Sequence, residues 1–283
     1  MTQNELFLQS PVPWTPHAYS KKAVKFLLEH ACAALFLDPG LGKTSITLAA
    51  IKMLIARKLV GKVLIVAPLR VCYSVWPREV DKWEDFNHLR IEVLHGADKE
   101  EALNRDADIY VINPEGLDWL LQTKKTKVIS PKTGKVTTKI EVDLRRFKKF
   151  GFDTLVIDEL TKFKHTTSGR FKALKLVHRT FGRRWGLTGS PASNGLLDLF
   201  GQCYILDEGR ALGPYATHYK TKYFNPVDKN GFVWAPREGA EDEIYERLSP
   251  LALRMAAEDY LDMPQLIENN IKLDMPDSAR AFY

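Results

Sequence analysis

A chain of 283 residues, 45% of them hydrophobic and 27% charged, can bury one large core or two small ones, so a disordered chain is excluded. Apolar runs such as 63–67 and 155–157 fall far short of the roughly 20 residues of a membrane-spanning helix. The formal net charge of +6 comes from one place: residues 122–150 hold ten Lys or Arg against Glu141 and Asp143, a local +8.

The opening MTQNELFLQSPVPW has neither the basic start nor the apolar stretch of a secretory signal. Cys32, Cys72 and Cys203 are too scattered for a zinc site or a disulfide framework, so a reducing, cytoplasmic setting is expected and no membrane is implied. From Ala18 to His30 the apolar residues recur at helical spacing. The period then changes. Ala33 to Leu37 is a buried-type strand ending in Asp-Pro-Gly, and Lys43 to Lys58, free of Gly and Pro, predicts a helix.

Between these two elements lies LFLDPGLGKTSI, starting at Leu35. A glycine-rich turn between strand and helix is how backbone N–H groups are made to surround a phosphate, so Pro39, Gly40, Leu41, Gly42, Lys43, Thr44 and Ser45 are candidate nucleotide-binding residues. Lys43 can reach the β and γ phosphates, and Thr44 can hold magnesium. The full G-x-x-x-x-G-K pattern would begin with Gly where this chain has Leu37.

Lys62 to Ala67 predicts a second strand stopped by Pro68, followed by a helix towards Trp83 that Pro77 marks or interrupts. Further buried strands are predicted at Ile91–Leu94, Ile109–Ile112, Thr154–Ile157 and Arg184–Thr188, with helices at Leu196–Leu206 and Glu241–Leu248. Strands alternating with helices predict an α/β fold with a mostly parallel sheet covered on both faces. Thr126 to Val142 alternates around Pro131-Lys132-Thr133-Gly134 and predicts an inserted basic β-hairpin. That hairpin is either a polyanion contact or a solvated, solubilising element.

LVIDE, ending in Asp158 and Glu159, is a strand that delivers two carboxylates at its C-terminal end. Asp158 suits magnesium, and Glu159 suits the general base that activates water. Trp76, Trp83, Trp119 and Trp185 sit in apolar patterns and are expected in the core, and the seven histidines form no spaced metal set.

Taken together, the motifs resemble, in order and spacing, the Swi/Snf branch of superfamily 2 helicases and translocases. VLIVAPLRVCYSVWPREVDKW from Val63 resembles its motif Ia, DIYVINPEGL from Asp108 its motif Ib, DELTKFKH from Asp158 its motif II, and RWGLTGSPASNGLLDLF from Arg184 its motif III. Short phage and bacterial members look most similar, which implies a bacterial or phage-infected host. The resemblance implies a RecA-like P-loop NTPase lobe over residues 1–255, with 256–283 leading towards a second such lobe supplied in cis or in trans. It further implies ATP and Mg2+ as ligands, hydrolysis by Lys43, Asp158 and Glu159, and coupling through Thr188, Gly189 and Ser190. Pro68, Leu69, Arg70 and Asn113 are implied to touch one strand of duplex DNA without reading its sequence, and Lys124, Lys125, Lys127, Lys132 and Lys135 form a second candidate DNA contact. The chain departs from the pattern at Ser20, where the family often has an adenine-reading Gln, and at Thr161, where a DEAH motif has His; Tyr19 is then a candidate to stack on the base or to pack in the core. The second lobe of such motors supplies arginines worth about 10³ to 10⁵ in rate, so a lone lobe is expected to turn over slowly. The alternatives are a DNA- or protein-binding module with a regulatory ATP site, and an RNA helicase lobe.

Overall fold

The computed structural model describes residues 10–129, 134, 136–193, 195–228 and 232–261. Seven strands form one sheet in the order β11-β1-β8-β7-β2-β4-β3: β1 (Cys32–Leu37), β2 (Lys62–Val66), β3 (Ile91–Val93), β4 (Ile109–Ile112), β7 (Phe152–Asp158), β8 (Arg183–Thr188) and β11 (Ala252–Met255). Every pairing in it is parallel. The remaining strands make two antiparallel pairs, β5 (Lys124–Ile129) with β6 (Val136–Glu141), and β9 (Phe224–Pro226) with β10 (Trp234–Pro236).

A sheet buried on both sides needs apolar residues at successive positions, and β1 and β2 supply them as CAALFL and KVLIV. Alternate residues serve different layers. Ala33, Leu35 and Leu37 join the core with α1 (Ala18–Glu29), α2 (Lys43–Ala56), α3 (Leu69–Ser74) and α4 (Trp76–Lys82). Ala34 and Phe36 join the opposite core, built with α5 (Lys99–Asn104), α6 (Leu117–Leu120), α7 (Leu144–Lys149), α8 (Gly169–Val177), α9 (Leu199–Asp207), α10 (Ala216–Tyr223) and α11 (Ala240–Leu248).

The helix predicted towards Trp83 is two helices, broken at Val75, because Pro77 in the first turn of α4 has no N–H to continue the α3 ladder. The basic segment is also two things. Its hairpin is exposed along both strands apart from Ile140, which packs on the core, whereas α7 after it buries Phe147 in that core. Lys132 and Lys135 lie outside the described residues. β11 was not evident in the sequence: its four residues, ALRM, carry too little alternation to stand out, and it pairs as an edge strand beside β1. The expected parallel sheet with helices on both faces is what the chain forms.

Because all seven strands run the same way, the glycine loop after β1, the segment starting at Pro68 after β2, Asn113 after β4, Glu159 after β7 and Gly189 after β8 all gather at one edge of the sheet. Ligand sites of open parallel sheets lie at that carboxyl edge.

Candidate functional site

The loop between β1 and α2 folds through two left-handed glycines, Gly40 at φ 90° and Gly42 at φ 71°. Side-chain-bearing residues rarely adopt that conformation, so backbone strain alone favours Gly at both positions. Gly42 is the N-cap of α2, where no side chain caps the first turn, leaving its N–H groups and the positive end of the helix dipole for an anion. Lys43 donates from Nζ to the carbonyls of Leu37 at 2.7 Å and Asp38 at 3.2 Å, which folds the cation back over its own loop. Burial holds Lys43 below the usual lysine range, opposed by the nearby carboxylates of Asp158, Glu159 and Asp38. Ser45 turns inward and donates to the Gly42 carbonyl at 3.0 Å, a bond that stabilises the turn, and Thr44 is half-buried beside it.

Asp158 ends β7 facing this loop. Its Oδ2 accepts from the indole Nε1 of Trp76 at 3.0 Å, and burial pushes its carboxyl above the ordinary range, with the Trp76 hydrogen bond and Lys43 pulling the other way. Glu159 adopts a left-handed backbone at φ 66° and ψ 66°, a conformation uncommon outside Gly and frequent at functional sites. Its Oε1 accepts from the Thr188 hydroxyl at 3.2 Å and also from the Thr161 hydroxyl. The acid pair, the lysine and the first residue of the 188–190 segment therefore meet.

Gly189 presses on the phosphate loop: a Cβ there would sit 3.2 Å from Pro39 Cδ. Gln202, wholly buried on α9, donates from Nε2 to the Pro191 carbonyl at 2.6 Å and fixes the same segment from behind. Asp38 ties the loop to the other sheet edge, its Oδ2 accepting from Ala257 N–H at 2.9 Å. Gln202 and Asp38 were not singled out from the sequence, and Trp76 was expected only as a core residue, which it also is. Each works through a contact 11 to 219 residues away, for which spacing gives no signal.

The residues fit a magnesium nucleotide. The loop offers N–H groups and a cation, Thr44 and Asp158 offer oxygen ligands of the kind magnesium takes in ones and twos, and among the described residues no cluster of His, Cys, Asp and Glu forms a separate metal cage. Tyr19 is 7% exposed, with His17 stacked at 5.2 Å and Tyr260 tilted at 5.2 Å, and Ser20 beside it is also buried. Of the two roles open to Tyr19, core packing is the one this environment fits.

At the same sheet edge, Pro68 caps α3, Leu69 is 40% exposed, and Arg70 is exposed, with no ion pair to its guanidinium among the described residues. Asn113 is buried, its side chain donating to Glu115 at 3.0 Å, and of the residues next in the loop Pro114 is buried and Glu115 exposed. On the hairpin, Lys125 pairs with Asp118, and Lys124 and Lys127 are exposed with no ion-pair partner among the described residues.

The profile of the SNF2-related domain matches residues 19–283. Putative protein p41 of Acyrthosiphon pisum secondary endosymbiont phage 1 is 29% identical over 95% of this chain and 56% of its own length. The chromatin remodeling factor mit1 of Schizosaccharomyces pombe is 27% identical over 92% of this chain and 16% of its own. Among solved structures, the Sulfolobus solfataricus SWI2/SNF2 ATPase core in complex with dsDNA superposes with a TM-score of 0.64 at 23% identity, covering 88% of this chain and 46% of that one. The Sulfolobus solfataricus SWI2/SNF2 ATPase core domain gives 0.62 at 24% identity, over all of this chain and 53% of that one. These likenesses establish a common fold, and this chain spans about half or less of the length of each relative.

Proposed function

Since this chain belongs to the SNF2-related domain family, we propose that it is the ATP-binding lobe of a DNA-dependent ATPase that moves along duplex DNA and works against a second RecA-like lobe. The observation that carries this reading is the convergence on Glu159, whose Oε1 takes hydrogen bonds from Thr161 and Thr188 while Lys43 and Asp158 stand beside it.

In this reading the N–H groups of residues 40–45 and Lys43 bind the triphosphate, and Thr44 and Asp158 hold its magnesium. Bound magnesium neutralises phosphate charge. Trp76 keeps Asp158 oriented, so the ligand oxygen does not have to be ordered when nucleotide arrives. Glu159 accepts a proton from the attacking water at its carboxylate, and Thr188, bonded to that carboxylate, carries the change to Gly189 and Ser190. The DNA contacts are Pro68, Leu69, Arg70 and the loop of Asn113, with Lys124, Lys125, Lys127, Lys132 and Lys135 as the hairpin contact. Such contacts are to phosphates and do not depend on sequence. The lobe alone turns over slowly, and supplying the second lobe raises the rate.

The test is steady-state ATPase with and without duplex DNA, in the lobe alone and with a second lobe supplied, comparing wild type with Glu159→Gln. Loss of a general base costs about 10² to 10⁴ in rate, and that loss is expected together with retained nucleotide binding. Nucleotide binding with no hydrolysis under any of these conditions would instead make the ATP site regulatory.

A further inference from the structure

α8 starts near the carboxyl edge and carries charge away from it. In its first turn Arg170 lies 3.5 Å from Glu115, in the loop after β4. Further on, Lys172, Lys175 and Arg179 follow at spacings of three and four residues and share one side of the helix and the turn after it. At 1.5 Å per residue the stripe is about 10 Å long, about three nucleotides of a strand rising 3.4 Å each.

Two cavities of about 480 and about 410 Å³ open along this stripe, and both have Lys172, Lys175 and Tyr204 in their walls. Ile140 of the basic hairpin closes the first, and Tyr215 the second. Among the described residues no Asp or Glu lines either. Lys175 Nζ lies 4.4 Å from the centre of the Tyr204 ring, Arg179 is held by Glu208 at 2.8 Å, and Lys172 has no ion-pair partner among the described residues. Together these make a concave, aromatic-floored groove with one cationic wall, one end near the candidate strand contacts and the other wall against Ile140 of the basic hairpin.

We propose that this groove is a further nucleic-acid contact, in which Lys172 and Lys175, with Arg179 beside them, bind the phosphodiester backbone of a strand that has passed the loop after β4. The proposal rests on DNA being the polymer this lobe works on. Continuity with that edge and a row of cations along one wall, facing aromatic and apolar residues with no carboxylate among the described lining residues, select a polyanion with regularly repeated charge. An apolar floor lets sugars pack where a flat patch would hold phosphate alone.

Fluorescence anisotropy with a labelled duplex and its single strand, over a range of salt, tests the proposal on wild type, K172E/K175E, K172R/K175R and R70E. Each phosphate contact contributes about 0.7 to 0.9 to the slope of log K against log salt. K172E/K175E is expected to weaken at least one probe by about tenfold and to lower its slope by about 1.4 to 1.8, whereas K172R/K175R binds as wild type does. The probe affected tells whether the groove takes single strand or duplex. Unchanged thermal melting confirms that the variants, altered only at side chains bordering solvent, are folded. If K172E/K175E binds both probes like wild type while R70E does not, the groove proposal is overturned, the DNA reading stands, and an acidic protein becomes the occupant to seek. A wild-type protein that binds neither probe overturns both.

Discussion

The indole of Trp76 on α4 donates to Oδ2 of Asp158 at the end of β7, 82 residues away in sequence and 3.0 Å away in space. Trp76 is fully buried, so the bond runs from the core into the nucleotide site.

Removing that donor leaves a buried carboxylate oxygen short of a partner. Trp76→Phe is therefore expected to cost about 1 to 3 kcal/mol in urea unfolding, and to weaken magnesium-dependent nucleotide binding more than magnesium-free binding. An equal loss in both would mean that Trp76 only packs.

Asp158 is a charge that the fold holds at a cost. Burial raises its folded pKa above the unfolded value, so the folded state binds the proton more tightly, and stability falls as pH rises through the window between the two. At neutral pH the full penalty is present; below the unfolded pKa it is absent. Asp158→Asn, which can still accept from Trp76, is expected to raise the melting temperature at neutral pH, by about 2 to 4 °C for each kcal/mol recovered, and to abolish turnover. The gain should vanish at acid pH.

Nucleotide binding should also have a narrowed pH range. It needs Asp158 ionised, and burial raises that group; it needs Lys43 charged, and burial lowers that one. Affinity measured by calorimetry should thus fall on the acid side before ordinary carboxylates protonate, and on the alkaline side before ordinary lysines lose their proton.

Gly201 lets α9 lie against the loop after Glu159. A Cβ there would stand 2.3 Å from the Lys164 carbonyl oxygen, a backbone atom that cannot swing aside. Gly201→Ala is expected to cost about 1 to 3 kcal/mol, and to lower activity by displacing the loop that carries Thr161.

The sheet was legible wherever a strand was fully buried, because runs such as KVLIV and TLVID have few other uses. The glycine loop and the acid pair were legible for a related reason: their chemistry fixes residue types over a few neighbouring positions. What escaped was whatever depends on contacts between distant segments. β11 gains its place only by pairing with β1, 218 residues apart at Ala34 and Ala252. The Thr161 and Thr188 hydroxyls meet on one oxygen of Glu159 only after β7 and β8 have paired.

Calorimetric titration of ATP into wild type, Lys43→Ala and Asp158→Asn, each with and without magnesium, tests the central claim most directly. The account predicts that wild type binds more tightly with magnesium, that Asp158→Asn loses that magnesium enhancement, and that Lys43→Ala binds poorly in both conditions. Lys43→Ala binding ATP as tightly as wild type, or a magnesium response untouched by Asp158→Asn, would contradict it.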